Sequence, residues 1–535
     1  MSAPVGNTAR FGVVHPLATA STGSIEVFGS CFAPRSVIDE LLKRNDAAGL
    51  VTLRGAYALA ARIGSLLTLV GSSVAPPNVF YTRVRGNLYY APTVIDVARK
   101  AGLSWRWNWR ALADVATLDH CVDQETLHAD IRKLGPGEVV RFDGVNVTSW
   151  KMPWHERTHC TAASPLRAVD ALILACQPYL DREAVVSMSA GFDSRLLLAC
   201  LLANGVRPRL LSMGQGASTD VRVAETIARR FNLPFCRVSL PLDDYLLAGP
   251  EVARTTGGSK TFGHWHTYVY AKNARVARDS RLFVGSNGEA ARTYYLDRGA
   301  ASLSADRVAP QIVKRAFWSV KLRPIFGDAQ LALLHPEFAA QFSGADLSAR
   351  RERLLSLSSG GLLAGLDRFY TEQRVNGFIA NGLALLGVHA SLATPMLDHE
   401  WMAQIWNLPR SWKLDARWHR FAIARLCPEL LDFETEKSGR PMRFASGPGY
   451  WLPLRRRPAQ VPYMDYEQAF RTDTLLRFVR EHGAEIAPVA RPSLLLQVFE
   501  QLAQGKPGIR AASFLLTVLE LLTCLRAEGF AVADG

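Results

Sequence analysis

The chain lacks a hydrophobic run long enough to cross a bilayer. Its longest apolar stretch, Phe514 to Leu525, is interrupted by Glu520, and a spanning helix needs roughly 20 apolar residues. It reads as a buried C-terminal helix. An apolar signal-peptide core is also missing, because Met1 to Thr22 is small and polar. The eight cysteines include no C-x-x-C pair. Several, such as Cys176 and Cys200, lie in apolar segments. They read as reduced core thiols, with no disulfide framework and no zinc site, and the expected compartment is the cytoplasm. There is no aromatic-interleaved basic stripe and no nucleic-acid motif, so neither nucleic acid nor membrane is an expected partner. No internal repeat or low-complexity segment occurs.

The 535 residues are 48% apolar and 21% charged, an ordinary globular composition with room for two or three cores. The net charge of +14 suits a polyanionic ligand, which would account for part of it. Arg455-Arg456-Arg457 is the densest basic run. Residues 1–155 carry short β-like runs, Leu67–Val70, Val79–Thr82, Leu88–Tyr90 and Glu138–Phe142, separated by turn signals such as Arg85-Gly86-Asn87. That predicts a β-rich α+β domain. Trp150 to Pro165 reads as a linker. From residue 165 to 535, strands alternate with helices and then helices dominate. Ala184–Met188, Arg209–Met213, Pro234–Val238 and Arg281–Gly285 are the expected strands of a doubly wound parallel sheet. Thr219 or Asp220 is the expected cap of a helix whose apolar face is Val221, Ala224, Ile227, Ala228 and Phe231.

Ser187-Met188-Ser189-Ala190-Gly191-Phe192-Asp193-Ser194 joins the first of these strands to a Leu-rich helix. Its small residues let backbone N–H groups of Ser189, Ala190, Gly191 and Ser194 approach phosphate at a helix start. Asp193 is placed to hold Mg²⁺ against pyrophosphate oxygens. No Lys follows Gly191, so this is not the Walker-type P-loop. In a doubly wound sheet, ligands bind at the carboxyl ends of strands. Ser212 and Met213 at the second strand end are therefore expected to meet adenine through backbone atoms. Gly285, Ser286 and Gly288 at the fourth are expected to approach the α-phosphate.

The loop resembles the S-G-G-x-D-S pyrophosphate loop of AMP-forming ATP pyrophosphatases, with Ala190 in place of a Gly. Asp220-Val221-Arg222-Val223-Ala224, Thr394-Pro395-Met396-Leu397-Asp398 with Pro409 beyond it, and Glu436-Lys437-Ser438-Gly439 are similar, in order, to further segments of the asparagine-synthetase superfamily. The resemblance spans roughly residues 165–445. It implies ATP and Mg²⁺, adenylation of a carboxylate, and attack by an amine: an AMP-forming carbon–nitrogen ligase. Lys437 matches the lysine that stabilises developing charge. The fourth-strand loop departs from the family's S-G-E-G-x-D-E. Asn287 replaces its Glu, and Ala290 replaces an acid that commonly binds Mg²⁺. Glu289 is the substitute metal ligand, and Glu372 is the candidate general base. His264-Trp265-His266, two histidines at i and i+2 without a carboxylate, read as structural. Tyr294-Tyr295 fit a substrate pocket or a core equally well.

The resemblance also implies an N-terminal glutaminase-like, Ntn-type sandwich. The chain begins Met1-Ser2-Ala3-Pro4 where the family has a cysteine nucleophile, so that domain is expected to be inactive. The amine must then come from elsewhere, as in β-lactam synthetases and lasso-peptide macrolactam synthetases. The lasso cyclase is the expectation: a precursor peptide's Asp or Glu side chain is adenylated and its own N-terminal amine closes the ring. A leader-binding protein and a leader protease are then implied as partners. An asparagine synthetase or other small-molecule amide or β-lactam synthetase, and a catalytically silent nucleotide-binding scaffold, are the alternatives.

Overall fold

A computed structural model of the chain describes residues 12–14, 24–297, 299–435, 439–444, 461–470, 472–504 and 508–532. Among the described residues, nine strands precede residue 152: β1 (Gly12–Val14), β2 (Ser24–Gly29), β3 (Tyr57–Ile63), β4 (Leu66–Gly71), β5 (Phe80–Val84), β6 (Asn87–Ala91), β7 (Arg132–Lys133), β8 (Glu138–Phe142) and β9 (Val147–Lys151). They make two antiparallel sheets, ordered β1-β6-β5-β7 and β2-β3-β4-β8-β9. Alternation decides how these pack. Leu67 and Leu69 of β4 and Val140 and Phe142 of β8 share one core with Tyr81, Leu88 and Tyr90 of the other sheet. The β5–β6 hairpin turns on Arg85 and Gly86, both at positive φ (49° and 79°), the geometry that matches strand twist in two-residue turns.

The third sheet is entirely parallel. It contains β10 (Glu183–Ser187), β11 (Arg209–Met213), β12 (Phe235–Val238), β13 (Ser280–Phe283) and β14 (Leu392–Ala393), in the order β12-β11-β10-β13-β14. Successive side chains of β10 point to opposite faces. Ala184 and Val186 join Leu196, Ala224 and Ile227 of helices Phe192–Ala203 and Thr219–Phe231. Val185 joins Tyr270 and Ala271 of helix His266–Ala274 on the opposite face. Both faces are therefore covered, which explains the continuous apolar strands. The chain runs β10, β11, β12 outward, then returns to the other side of β10 for β13. The strand order reverses between β10 and β13, and the crevice outside their carboxyl ends is where such sheets bind ligands.

Two expectations change. Trp150 to Pro165 is not a bare linker: β9 includes Trp150 and Lys151, and Trp154–Arg157 is a short helix. Arg157 is buried there and donates to the carbonyls of Met152 (3.1 Å) and Ser73 (2.6 Å). The cap of helix Thr219–Phe231 is Ser218, whose Oγ accepts from Val221 N at 3.3 Å. Thr219 and Asp220 are inside the helix, and Asp220 is free for another bond. Beyond residue 300 the described chain is helical apart from β14, and Phe514–Leu525 lies within the buried helix Ile509–Ala527. All eight cysteines are free thiols. Among the described residues, no helix is long and apolar enough to cross a membrane.

Candidate functional site

The loop after β10 is held from within and from both sides. Ser189 Oγ and Ser194 Oγ lie 3.0 Å apart, and Ser194 Oγ accepts from Ser189 N at 3.1 Å. Gly191 N donates to Ser189 Oγ at 3.2 Å. Ala190 N donates to Asp220 Oδ1 at 2.7 Å. Burial raises the Asp220 carboxyl, and the Ala190 N–H and the Arg195 charge oppose that. These bonds consume the loop's own N–H groups at 189–191. Helix Phe192–Ala203 has Gly191 as its N-cap, without a side-chain cap, and the first turn of a helix carries unsatisfied N–H groups and a partial positive charge.

Arg195, one turn further on, is fully buried. It donates to the carbonyls of Ala190 (3.1 Å), Phe433 (2.9 Å) and Glu434. Burial pushes its guanidinium down to about 9, against the pull of Asp220 and Glu434. Arg195 thus ties the loop to the segment that leads into residue 436. Thr435 N in turn donates to Arg440 O at 2.9 Å. Lys437 lies outside the described residues, with Glu436 and Ser438.

Asp193 sits where the ends of β10 and β13 meet. A side chain at Gly285 or Gly288 would collide with it: a Cβ would come within 2.9 Å of Asp193 Cβ and 2.4 Å of Asp193 Oδ1, respectively. The glycines after β13 are what let its loop close onto the acid. Asp193 Oδ2 accepts from Arg292 at 3.1 Å, and Asp193 Oδ1 lies 2.8 Å from His419 Nε2. Glu289 follows within the same loop. It accepts from the Tyr370 hydroxyl at 3.0 Å and stands 3.8 Å from Arg292. Burial raises the Glu289 carboxyl, and the Asp193 charge raises it further. Asn287, at φ 74°, is buried and donates to Met396 O at 2.7 Å. The position that resembles a catalytic Glu therefore pins the loop to the Thr394–Asp398 segment. Asp398 itself accepts from Gly55 N and Arg54 Nε, both at 3.2 Å, and so reaches the N-terminal sheet.

Asp193 and Glu289 suit Mg²⁺ as a pair of hard carboxylate donors that would leave most of its shell to water and phosphate. Arg292 now supplies the cation between them. Among the described residues, no group of three or more acids, histidines or cysteines could hold a metal alone. The structure does not bring Glu372 to this cluster. Its carboxylate meets Arg157 (2.5 Å), Arg368 (2.6 Å) and Lys151 (3.3 Å). Burial alone would raise it, but the three cations hold it down at about 2, which leaves a poor proton acceptor. Ser212 Oγ is buried without a partner. At the end of β11, Gly214 (φ 120°) packs against Tyr463, and Gln215 N donates to Tyr463 O at 3.2 Å. The corner expected to meet adenine thus has Val461–Asp465 as one wall. His419 was not legible as a site residue, because it is a lone basic residue on an element remote in sequence from both loops, and Arg292, three residues beyond Glu289, matches no motif position.

No family model matches the sequence, and no curated protein matches it. Solved structures with partial likeness include two enzymes. NMN synthetase from Francisella tularensis is 15% identical, with 25% of this chain and 60% of that one covered and a TM-score of 0.18. Glutamine phosphoribosylpyrophosphate amidotransferase from B. subtilis, complexed with ADP and GMP, is 9% identical, with 49% and 61% covered and a TM-score of 0.15. The chain spans about three fifths of the length of each. Likeness at this level carries no argument about the reaction.

Proposed function

We propose that this chain is an AMP-forming carbon–nitrogen ligase that adenylates a carboxylate and passes it to an amine. The observation that carries this reading is the uncapped start of helix Phe192–Ala203 at the reversal point of the sheet, with Asp193 and Glu289 beside it. A carboxylate oxygen would attack the α-phosphorus of ATP, breaking its bond to the bridging oxygen and releasing pyrophosphate to the helix start. The amine would then attack the acyl carbon and lose its proton, and AMP would leave. Asp193 and Glu289 would hold Mg²⁺, which when bound neutralises phosphate charge. Arg292, already paired with Asp193, supplies a second positive charge to the same place. Lys437 is the proposed counter-charge for the transition state. The base is left to solvent or substrate, since Glu372 is committed to its cations.

The acceptor we propose is a ribosomal precursor peptide whose side-chain Asp or Glu is closed onto its own N-terminal amine, as in a lasso-peptide cyclase. A leader-binding protein and a protease would supply the trimmed chain, and the N-terminal Ntn-type sandwich would serve as scaffold. Pyrophosphate and AMP release with trimmed peptide, aspartate plus ammonium, or neither, tests all of this. Loss of one water from the peptide supports the cyclase, and asparagine formation replaces it with the small-molecule reading. Asp193→Asn should cut pyrophosphate release by about 100-fold or more. Retained turnover would remove the loop from the mechanism. A silent nucleotide-binding scaffold is the second reading. It is favoured by the Arg292–Asp193 pair, which neutralises the proposed metal ligand, and no pyrophosphate with any substrate would establish it.

A further inference from the structure

Residues Tyr370–Ile379 wind as a π-helix, a rare form that recurs at functional sites. The helix carries Tyr370, Arg374 and Phe378 along one side, as their contacts show. Tyr370 bonds Glu289 and packs on the Tyr294 ring at 4.6 Å. Arg374 lies 5.3 Å from the Tyr294 ring and 4.1 Å from the Phe378 ring. Lys260 Nζ lies 3.3 Å from the same Phe378 ring, and His264 meets that ring edge-on at 4.7 Å. The row runs from the reaction centre at Glu289 to a pair of cations.

Those cations have no salt bridge among the described residues. Lys260 is 3% exposed, and its one hydrogen bond is to the carbonyl of Phe378, at 3.1 Å. Among the described residues neither Lys260 nor Arg374 has an ion pair; Asp119 is the acid whose field reaches both. Burial, and next the Arg374 charge, push the Lys260 ammonium down to about 7. The neighbouring histidines do not share the burden: burial drives His264 well below its usual range and His266 to about 3, so both are neutral. Burying an ammonium without an ion partner is destabilising, and the Phe378 ring, its carbonyl and the field of Asp119 are what stand against that cost. At its Tyr294 end the row meets solvent, where Tyr294 is 38% exposed.

We propose that Lys260 and Arg374, set against Phe378 beside Tyr294, form a subsite for a substrate carboxylate other than the one that is activated. It rests on the adenylation reading above, which makes the substrate a carboxylic acid. A planar guanidinium and an ammonium against aromatic walls match a planar, singly charged anion. The bound anion would supply an ion partner, and the Tyr294–Tyr370 contact would fix its distance from Glu289.

The test is calorimetric binding to the full chain, with ATP present, of two pairs of probes: N-acetylglutamate against its α-amide, and one hexapeptide as free acid against its C-terminal amide. The acid of one pair should bind at least 10-fold more tightly. Preference within the first pair marks a small substrate and within the second a peptide terminus. Arg374→Gln and Lys260→Met should each bring that preference close to unity. Lys260→Met should also leave the unfolding midpoint unchanged or raised, since it removes an unpaired buried charge; a fall would show that Lys260 is structural. No preference in either pair, preference retained in both variants, or equal competition by inorganic phosphate overturns the subsite. Pyrophosphate release is read separately. Its absence alongside an intact preference removes the proposed reaction and leaves the subsite, whereas release without preference removes the subsite alone.

Discussion

Single residues here show how charged neighbours, more than burial, set what a buried acid can do. Glu372 and Glu520 are both buried glutamates, and their environments push them in opposite directions. Glu520 lies in the helix Ile509–Ala527 with Gly249 against its carboxyl, where a Cβ would come within 2.5 Å. Burial and then the Glu485 charge raise it to about 8, against about 4.3 for an unfolded glutamate. Between those values the folded chain keeps a proton that the unfolded chain has released. Stability from this group is complete below about pH 4 and is lost as pH rises through about 8. Glu520→Gln should therefore leave the thermal midpoint nearly unchanged at pH 4. At pH 9 the shift from about 4.3 to about 8 makes it raise stability by on the order of 5 kcal/mol. A calorimetric scan of both proteins at the two pH values checks this, and a midpoint shift of equal size at both would show that the effect is steric.

At the scale of elements, the parallel sheet was legible because its strands are continuous apolar runs and its helices have a periodic face. Four of its five strands follow from the sequence to within a few residues. β14, two residues at the sheet edge, carries no pattern long enough to read. The cap at Ser218 was missed for a physical reason: Ser218, Thr219 and Asp220 are all good caps, and only the tertiary partner of Asp220 decides among them. That partner is the loop at Ala190. Asp220 therefore acts on the loop and not on its own helix. Asp220→Asn keeps an acceptor for the Ala190 N–H, whereas Asp220→Ala removes it. Asp220→Ala should weaken ATP binding by about 10-fold, a loss of roughly 1.4 kcal/mol, and Asp220→Asn should do so less. Fluorescent-ATP titration with a parallel melting curve separates a displaced loop from general unfolding. Equal affinity in wild type and Asp220→Ala would show that the loop holds its shape without this bond.

For the whole molecule, the least legible feature is how its N-terminal sheets join the part built on the parallel sheet. Glu372 had a sequence signature only as a helix-borne acid near Arg374. Its actual partners, Arg157 and Lys151, come from the stretch that reads as a linker, and only the fold brings them together. The side chains of Arg157 and Glu372 are 1% and 4% exposed. Arg157 also holds two carbonyls of the N-terminal part. Asp398 makes a second tie through Gly55 and Arg54. Such ties couple the two parts energetically, so the chain should unfold in one main transition. Removing one partner of a buried pair typically costs about 3 kcal/mol or more, and Arg157→Met should split that transition by loosening the N-terminal sheets first. The pH dependence follows from Glu372, held near 2 by its cations although burial opposes them. Its contribution is present above the unfolded value of about 4.3 and is lost as pH falls toward about 2. The wild-type transition should therefore weaken and divide between about pH 5 and pH 2. In Arg157→Met it should already be divided at neutral pH. Differential scanning calorimetry at pH 7, 4 and 3 reads both, and a single unshifted transition in Arg157→Met would mean that Asp398 and the shared apolar packing carry the coupling alone.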